Sequence, residues 1–261
     1  FMPDLERIAA NFAHAFYDRA WPEQAEFDFE SLNVEDAYQV QALVTQAKLE
    51  RGEQIAGYKI GCTSAAIRAQ FGLTTPILAP IFHPRIHAPD TTLPVNQYVD
   101  CAIEPELVFE IGHDLHGEGL PDDALIAGIA RVRPGIELHN FRFWRQPPCL
   151  SELICSGGIH AGLVVGTASV SPETVDLLNA SFRVQLDGQL VAEEPGREIM
   201  GGPLHSLRWL IDSLTRQGKN LEAGYLVIPG SPTPLIPIES GKRTQLTVDI
   251  EGVGSVRCDF A

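Results

Sequence analysis

The sequence predicts an α+β fold, and three observations predict it. Two stretches with helical spacing of apolar residues open the chain. Strand-type segments dominate from Val99 onward, and one later amphipathic helix interrupts them. Helices first and strands afterwards argue against a doubly wound α/β sheet, in which the two would alternate.

Leu5, Ile8, Phe12 and Phe16 fall on one helical stripe, which predicts a helix over Leu5 to Arg19. Val40, Leu43, Val44 and Ala47 predict a second over Val34 to Glu50, capped by Asn33 or Ser31 and stopped by Gly52. Gly57 to Thr63 reads as a short strand, Ser64 to Phe71 as a short helix, and the Pro-rich Pro76 to Pro94 as an irregular excursion. Beyond Val99, Ile103, Leu107, Phe109 and Ile111 alternate with Glu104, Glu106, Val108 and Glu110, the pattern of a strand with two different faces. Arg131 to Leu138 and Ala161 to Val170 are further strands. Asp187-Gly188 sits inside Phe182 to Val191 as a two-residue hairpin signal. Leu204, Leu207, Leu210, Ile211 and Leu214 mark the late helix, Pro203 to Gln217, with Gly218 after it. Tyr225 to Pro229 and Arg243 to Phe260 close the chain as strands, the last pair turning at Glu251 to Gly254. The expected organisation is one globular unit: an N-terminal helical and cap region, residues 2–98, and a β-rich core, residues 99–261.

With 261 residues the chain is near the upper size that a single core supports. Its formal charge of -15 argues against a nucleic-acid surface, because phosphate backbones reward clustered Lys and Arg. No apolar run approaches the ~20 residues that span a bilayer, which predicts no membrane partner. The opening residues lack the basic stretch, apolar segment and small-residue site of a secretory signal. Five scattered cysteines, an odd number, fit reduced thiols, and together these features predict a cytoplasmic protein. Cys149 and Cys155 are near enough in sequence to pair, but no pattern requires it.

Residues i and i+2 of a strand project from one face, about 6.5–7 Å apart along the chain. Glu104 and Glu106 therefore point together, opposite the apolar Ile103, Leu107 and Phe109. Two facing carboxylates repel unless a cation lies between them, and hard divalent ions such as Mg²⁺ and Mn²⁺ suit carboxylate oxygens plus water. Glu137, in the strand-like RPGIELHNF, is a third candidate. The same pattern also suits the solvated face of an antiparallel sheet, so spacing alone leaves both readings open. His139 lies two residues beyond Glu137, and its face stays unassigned.

Three motifs taken together, GYKIGCTS (Gly57 to Ser64), EPELVFEIGHDL (Glu104 to Leu115) and GIELHNFR (Gly135 to Arg142), resemble one family. It is the 2-keto-4-pentenoate hydratase / 4-oxalocrotonate decarboxylase family of the fumarylacetoacetate hydrolase superfamily. The stretch from Gly201 through the late helix to about Ile238 is similar as well, so the resemblance keeps order and spacing over nearly the whole chain. It implies a mixed β-roll with an N-terminal helical region. It also implies a Mg²⁺- or Mn²⁺-dependent site on Glu104, Glu106 and Glu137, with Lys59 and Arg142 as functional residues. The implied activity is that of a hydratase or decarboxylase, a lyase acting on a small 2-oxo or 2-hydroxydienoic acid, as in the breakdown of aromatic rings. Family members assemble, so a homo-oligomer is expected. A lysine desolvated beside such a site can titrate near neutrality and move a proton.

Three positions depart from the family pattern. Thr75-Pro76-Ile77-Leu78 stands where the family usually carries an aspartate of its catalytic group, which puts water addition in question. CSGGIHAGLVVG, Cys155 to Gly166, replaces a D-N-x-S-S-G-like loop and brings His160 to a substrate-contacting place, where an imidazole could serve as acid or base. Asn140 stands where aspartate is common. Two alternatives to the lyase therefore stay open. One is a metal-dependent hydrolase of acylpyruvate-type carbon–carbon bonds. The other is a catalytically silent homologue that binds metal and ligand.

Overall fold

Helices α1 (Leu5–Asp18) and α2 (Val34–Glu50) begin where side chains can take up free backbone N–H groups. In the computed structural model, which describes residues 4–20, 32–70, 74–141 and 148–261, Asp4 accepts from the Arg7 N–H at 3.0 Å and Asn33 from that of Asp36 at 2.8 Å. Asn33 is thus the cap of the second helix; Ser31 lies outside the described residues. That helix stops as expected, the Gly52 N–H closing on the Leu49 carbonyl at 2.9 Å.

The chain continues through β1 (Ile55–Gly61), α3 (Ala65–Gln70), β2 (Ile77–Phe82), β3 (Ile86–His87), β4 (Thr92–Leu93) and β5 (Cys101–Ile111). Then come α4 (Asp122–Gly128), β6 (Ile129–Asn140), α5 (Leu150–Cys155), β7 (His160–Val165), β8 (Ser181–Leu186), β9 (Gln189–Pro195) and α6 (Pro203–Arg216). The last strands are β10 (Leu226–Ile228), β11 (Ile236–Pro237), β12 (Thr244–Ile250) and β13 (Gly254–Phe260). The expectation of an irregular Pro76 to Pro94 is corrected. β2 lies at the edge of its sheet, bonded on one side only to β1, so Pro80 removes no ladder bond there. The strand expected to reach Val170 ends at Val165; Val170 keeps only an isolated bridge to Val132. The Asp187-Gly188 hairpin forms as read, both residues adopting positive φ.

Among the described residues, one sheet of eight strands runs β2-β1-β10-β5-β6-β7-β3, with β11 on β5. A second runs β4-β13-β12-β8-β9. The sheets close on a common core in which Ile103, Leu107, Phe109, Ile136 and Leu138 meet Phe182, Val184, Leu246, Val248 and Phe260. This is the apolar face of β5 that the alternation predicted. The segment before Val99 supplies β1 to β4 to both sheets. Helices α1, α2 and α5 form a second apolar cluster that reaches Ile77 and Ile159. Among the described residues, no helix is long and apolar enough to cross a membrane. All five cysteines are free, so Cys149 and Cys155 do not pair.

Candidate metal centre

Register on the central strands decides which acids meet. β5 and β6 run antiparallel with Glu104 directly opposite Glu137, and β6 and β7 set His139 opposite His160. Like charges directly opposite on a sheet are destabilising, so Glu104 and Glu137 require compensation. Glu137 is fully buried and divides its two oxygens. Oε1 lies 2.7 Å from the Lys59 ammonium of β1 and 2.8 Å from His160 Nδ1. Oε2 turns the other way and has no hydrogen-bond donor. His139 Nε2 lies 3.0 Å from Glu104 Oε2 and 3.5 Å from Glu137 Oε2, but off the hydrogen-bonding direction of both. One donor atom from each of Glu104, Glu137 and His139 lies within 4.8 Å of the others.

Two of the three expected ligands thus converge, and His139 takes the third place in the cluster. Its signal was in the sequence: two residues from Glu137 in an unbroken strand put both side chains on one face. Glu106 is completely buried next to them. Its Oε2 accepts the Gly230 N–H at 3.0 Å, while its Oε1 has no partner. Gly230 has φ of +117°, and a Cβ there would collide with Thr63, so only glycine brings this N–H to Glu106.

The charges settle accordingly. Burial works to raise the Glu137 carboxyl, but Lys59, His139 and His160 outweigh it and hold the group below the usual carboxylate range. Burial, then Glu137 and Glu104, push Glu106 well above that range. For Lys59, burial alone would lower the ammonium, yet Glu137, Glu104 and Glu106 overcome it and keep it above its usual value. These three carboxylates thus favour the charged form of Lys59. Burial lowers His160 to about 4, so its imidazole is neutral. Its Nδ1–H donates to Glu137, which leaves Nε2 as a buried lone pair without a partner. Ile159, just before it, is a β-branched residue at φ 55°, an unusual backbone for such a side chain.

Ile77 lies on the same side as the Lys59 stem: a Cβ on Gly158 or Gly61 would touch both side chains. Burial of the nearby Cys62 raises its thiol to about 11, so it remains protonated. Asn140 is structural, its Oδ1 accepting the Val99 N–H at 3.0 Å. Arg142 lies outside the described residues. Buried carboxylate oxygens and an imidazole, all without donors, are the chemistry a divalent cation satisfies.

No family model matches the chain. It is 28% identical to 2-keto-4-pentenoate hydratase of Paraburkholderia xenovorans (strain LB400), over 89% of this chain and 86% of that protein. It is also 28% identical to 4-oxalocrotonate decarboxylase of Pseudomonas putida, over 89% of this chain and 88% of that one. The solved 4-oxalocrotonate decarboxylase of Pseudomonas putida G7, complexed with magnesium and adipate, superposes with a TM-score of 0.91 at 26% identity, covering 98% of this chain and 97% of that one. Fumarylpyruvate hydrolase of Pseudomonas aeruginosa, complexed with Mn²⁺ and pyruvate, shares the fold at a TM-score of 0.59 and 18% identity, over 78% and 88% of the two chains. The fold is that of the fumarylacetoacetate hydrolase superfamily. Within it, the chain is a homologue of the 2-keto-4-pentenoate hydratases and of 4-oxalocrotonate decarboxylase, as the three motifs implied.

Proposed function

We propose that this protein is a divalent-metal-dependent lyase, a hydratase or decarboxylase, acting on a small 2-oxo or 2-hydroxydienoic acid. The observation that carries the reading is the divided Glu137 carboxylate, with one oxygen fixed by Lys59 and His160 and the other free beside Glu104. Glu104, Glu106 and Glu137 would hold Mg²⁺ or Mn²⁺. A bound ion supplies Lewis-acid stabilisation of the negative charge that develops on the substrate's C2 oxygen. Lys59 contributes positive charge beside Glu137. His160 Nε2 is the neutral nitrogen placed to take or return a proton, and Arg142 is proposed to hold the substrate carboxylate on the resemblance.

The same His160–Glu137 pair at 2.8 Å also suits a base for water, which favours the metal-dependent carbon–carbon hydrolase as second reading. Assembly of several copies and a cytoplasmic setting are part of the proposal. The five free thiols support a reducing compartment. Calorimetric titration of Mg²⁺ and Mn²⁺, with and without oxalate as a 2-oxo acid mimic, tests the site. Mass spectrometry of products from 2-hydroxydienoates and acylpyruvates then separates gain of water, loss of carbon dioxide and cleavage. Metal binding tightened by oxalate is expected; absence of binding under both conditions would make the glutamates a sheet face without catalytic meaning.

A further inference from the structure

We infer that His139 is itself a ligand of the metal, and that its nitrogen tunes the site towards borderline transition ions such as Co²⁺ over Mg²⁺. This rests on the metal reading above and deepens it. The imidazole is 2% exposed, and neither ring nitrogen has a hydrogen-bond partner. A buried polar group left so is unfavourable, and ligation satisfies one nitrogen at once. Nε2 is aimed between Glu104 Oε2 and Glu137 Oε2, at 3.0 and 3.5 Å, without the direction of a hydrogen bond to either. Three donor atoms that converge on a point without bonding to one another are arranged to share a cation.

The partners of Glu137 support this assignment. Lys59 and His160 both engage Oε1, so the free oxygen is the one beside His139. His160 spends its Nδ1–H on that carboxylate, which separates the roles of the two histidines facing each other across β6 and β7. Carboxylate and water ligands suit Mg²⁺, whereas imidazole suits later transition ions, and affinity at a mixed site rises from Mn²⁺ through Co²⁺. A nitrogen donor in the set therefore shifts preference away from Mg²⁺.

The test uses the intact protein with the metals alone. In the Mn²⁺-loaded protein, pulsed electron paramagnetic resonance should show coupling to a directly bound ¹⁴N nucleus, which disappears in His139→Leu. Calorimetry should show His139→Leu losing roughly tenfold or more in Co²⁺ affinity, at least the loss that removal of an outer partner produces, while Mg²⁺ affinity changes much less. His139→Gln, which keeps a polar side chain, serves as a second variant if leucine impairs folding. Binding of Mn²⁺ without nitrogen coupling, or equal losses for Co²⁺ and Mg²⁺, overturns the inference and leaves the lyase reading standing. Failure of the wild-type protein to bind any of these ions overturns both.

Discussion

The Lys59 ammonium stands 2.7 Å from Glu137 Oε1, with both side chains enclosed. The two strands that carry them, β1 and β6, are not neighbours; β10 and β5 lie between them. The pair therefore ties two strands that share no ladder, as well as fixing charge at the site. Removing one partner of a buried pair leaves the other unpaired, at about 3–5 kcal/mol. Lys59→Met should accordingly lower the stability of the metal-free protein by that order, measured by denaturant unfolding in chelator. Loss of a positive charge beside a cation site offsets the looser Glu137, so metal affinity should change little. Turnover should fall about 10²–10³-fold, the loss typical of removing one electrostatic stabiliser. Unchanged turnover would make Lys59 purely structural.

Glu106 makes the opposite statement about charge. Its carboxyl is pushed above the usual range by burial, then by Glu137 and Glu104. An acid whose folded value is raised binds its proton more tightly in the native state, so stability is fully present below about 4.5 and is lost as pH rises above it. Glu106→Gln keeps the shape and removes that loss. In chelator, thermal melts across this window should show the variant gaining on the wild type as pH rises, with no difference in acid. With metal present, the variant should lose metal-dependent turnover; full turnover would remove Glu106 from the ligand set.

How much of this was legible follows from how each feature is encoded. The alternation of Ile103, Leu107 and Phe109 with Glu104 and Glu106 is local, and the structure keeps both faces as read. The late helix and the Asp187-Gly188 hairpin are local as well. Pairing Glu104 with Glu137 is not local: it needs the β5–β6 register, and the sequence only suggested that Glu137 could complete the set. The outer edge without a partner strand that lets β2 carry Pro80 is likewise a property of the sheet. Short helices α4 and α5 hold fewer than three turns, too few for a 3.6-residue period to emerge. His139 was readable in principle, since strand geometry puts it with Glu137. The positive charge of Lys59 was not, because burial and three carboxylates oppose each other and only their distances decide.

On the proposed reading, His160 would act on a bound metal through Glu137 as well as on the substrate through Nε2. Its Nδ1–H at 2.8 Å orients the carboxylate so that Oε2 stays free. Outer partners of this kind typically contribute 10–100-fold in metal affinity. His160→Ala should therefore weaken Mn²⁺ binding by about that factor, by calorimetry, in addition to lowering turnover. Lost turnover with unchanged affinity would assign His160 to the substrate alone.

A second buried cation lies away from this centre, between the N-terminal helices and β2. The Lys48 ammonium sits 3.7 Å from the centre of the Phe16 ring and 4.7 Å from that of Phe82. Burial lowers it from 10.5 to about 8, Arg85 adds to the lowering, and Glu53 opposes it. The native state therefore binds this proton less tightly than the unfolded chain, and stability rises with pH between about 8 and 10.5. Ring attraction to the cation limits the effect, because it favours the charged form. Lys48→Met removes the titrating group while keeping the stem that packs on the two rings. Denaturant unfolding of the two proteins from pH 7 to 10.5 should show the rise in the wild type and a flatter profile in the variant. Parallel profiles would mean that Lys48 is solvated more than its enclosure by Phe16 and Phe82 implies.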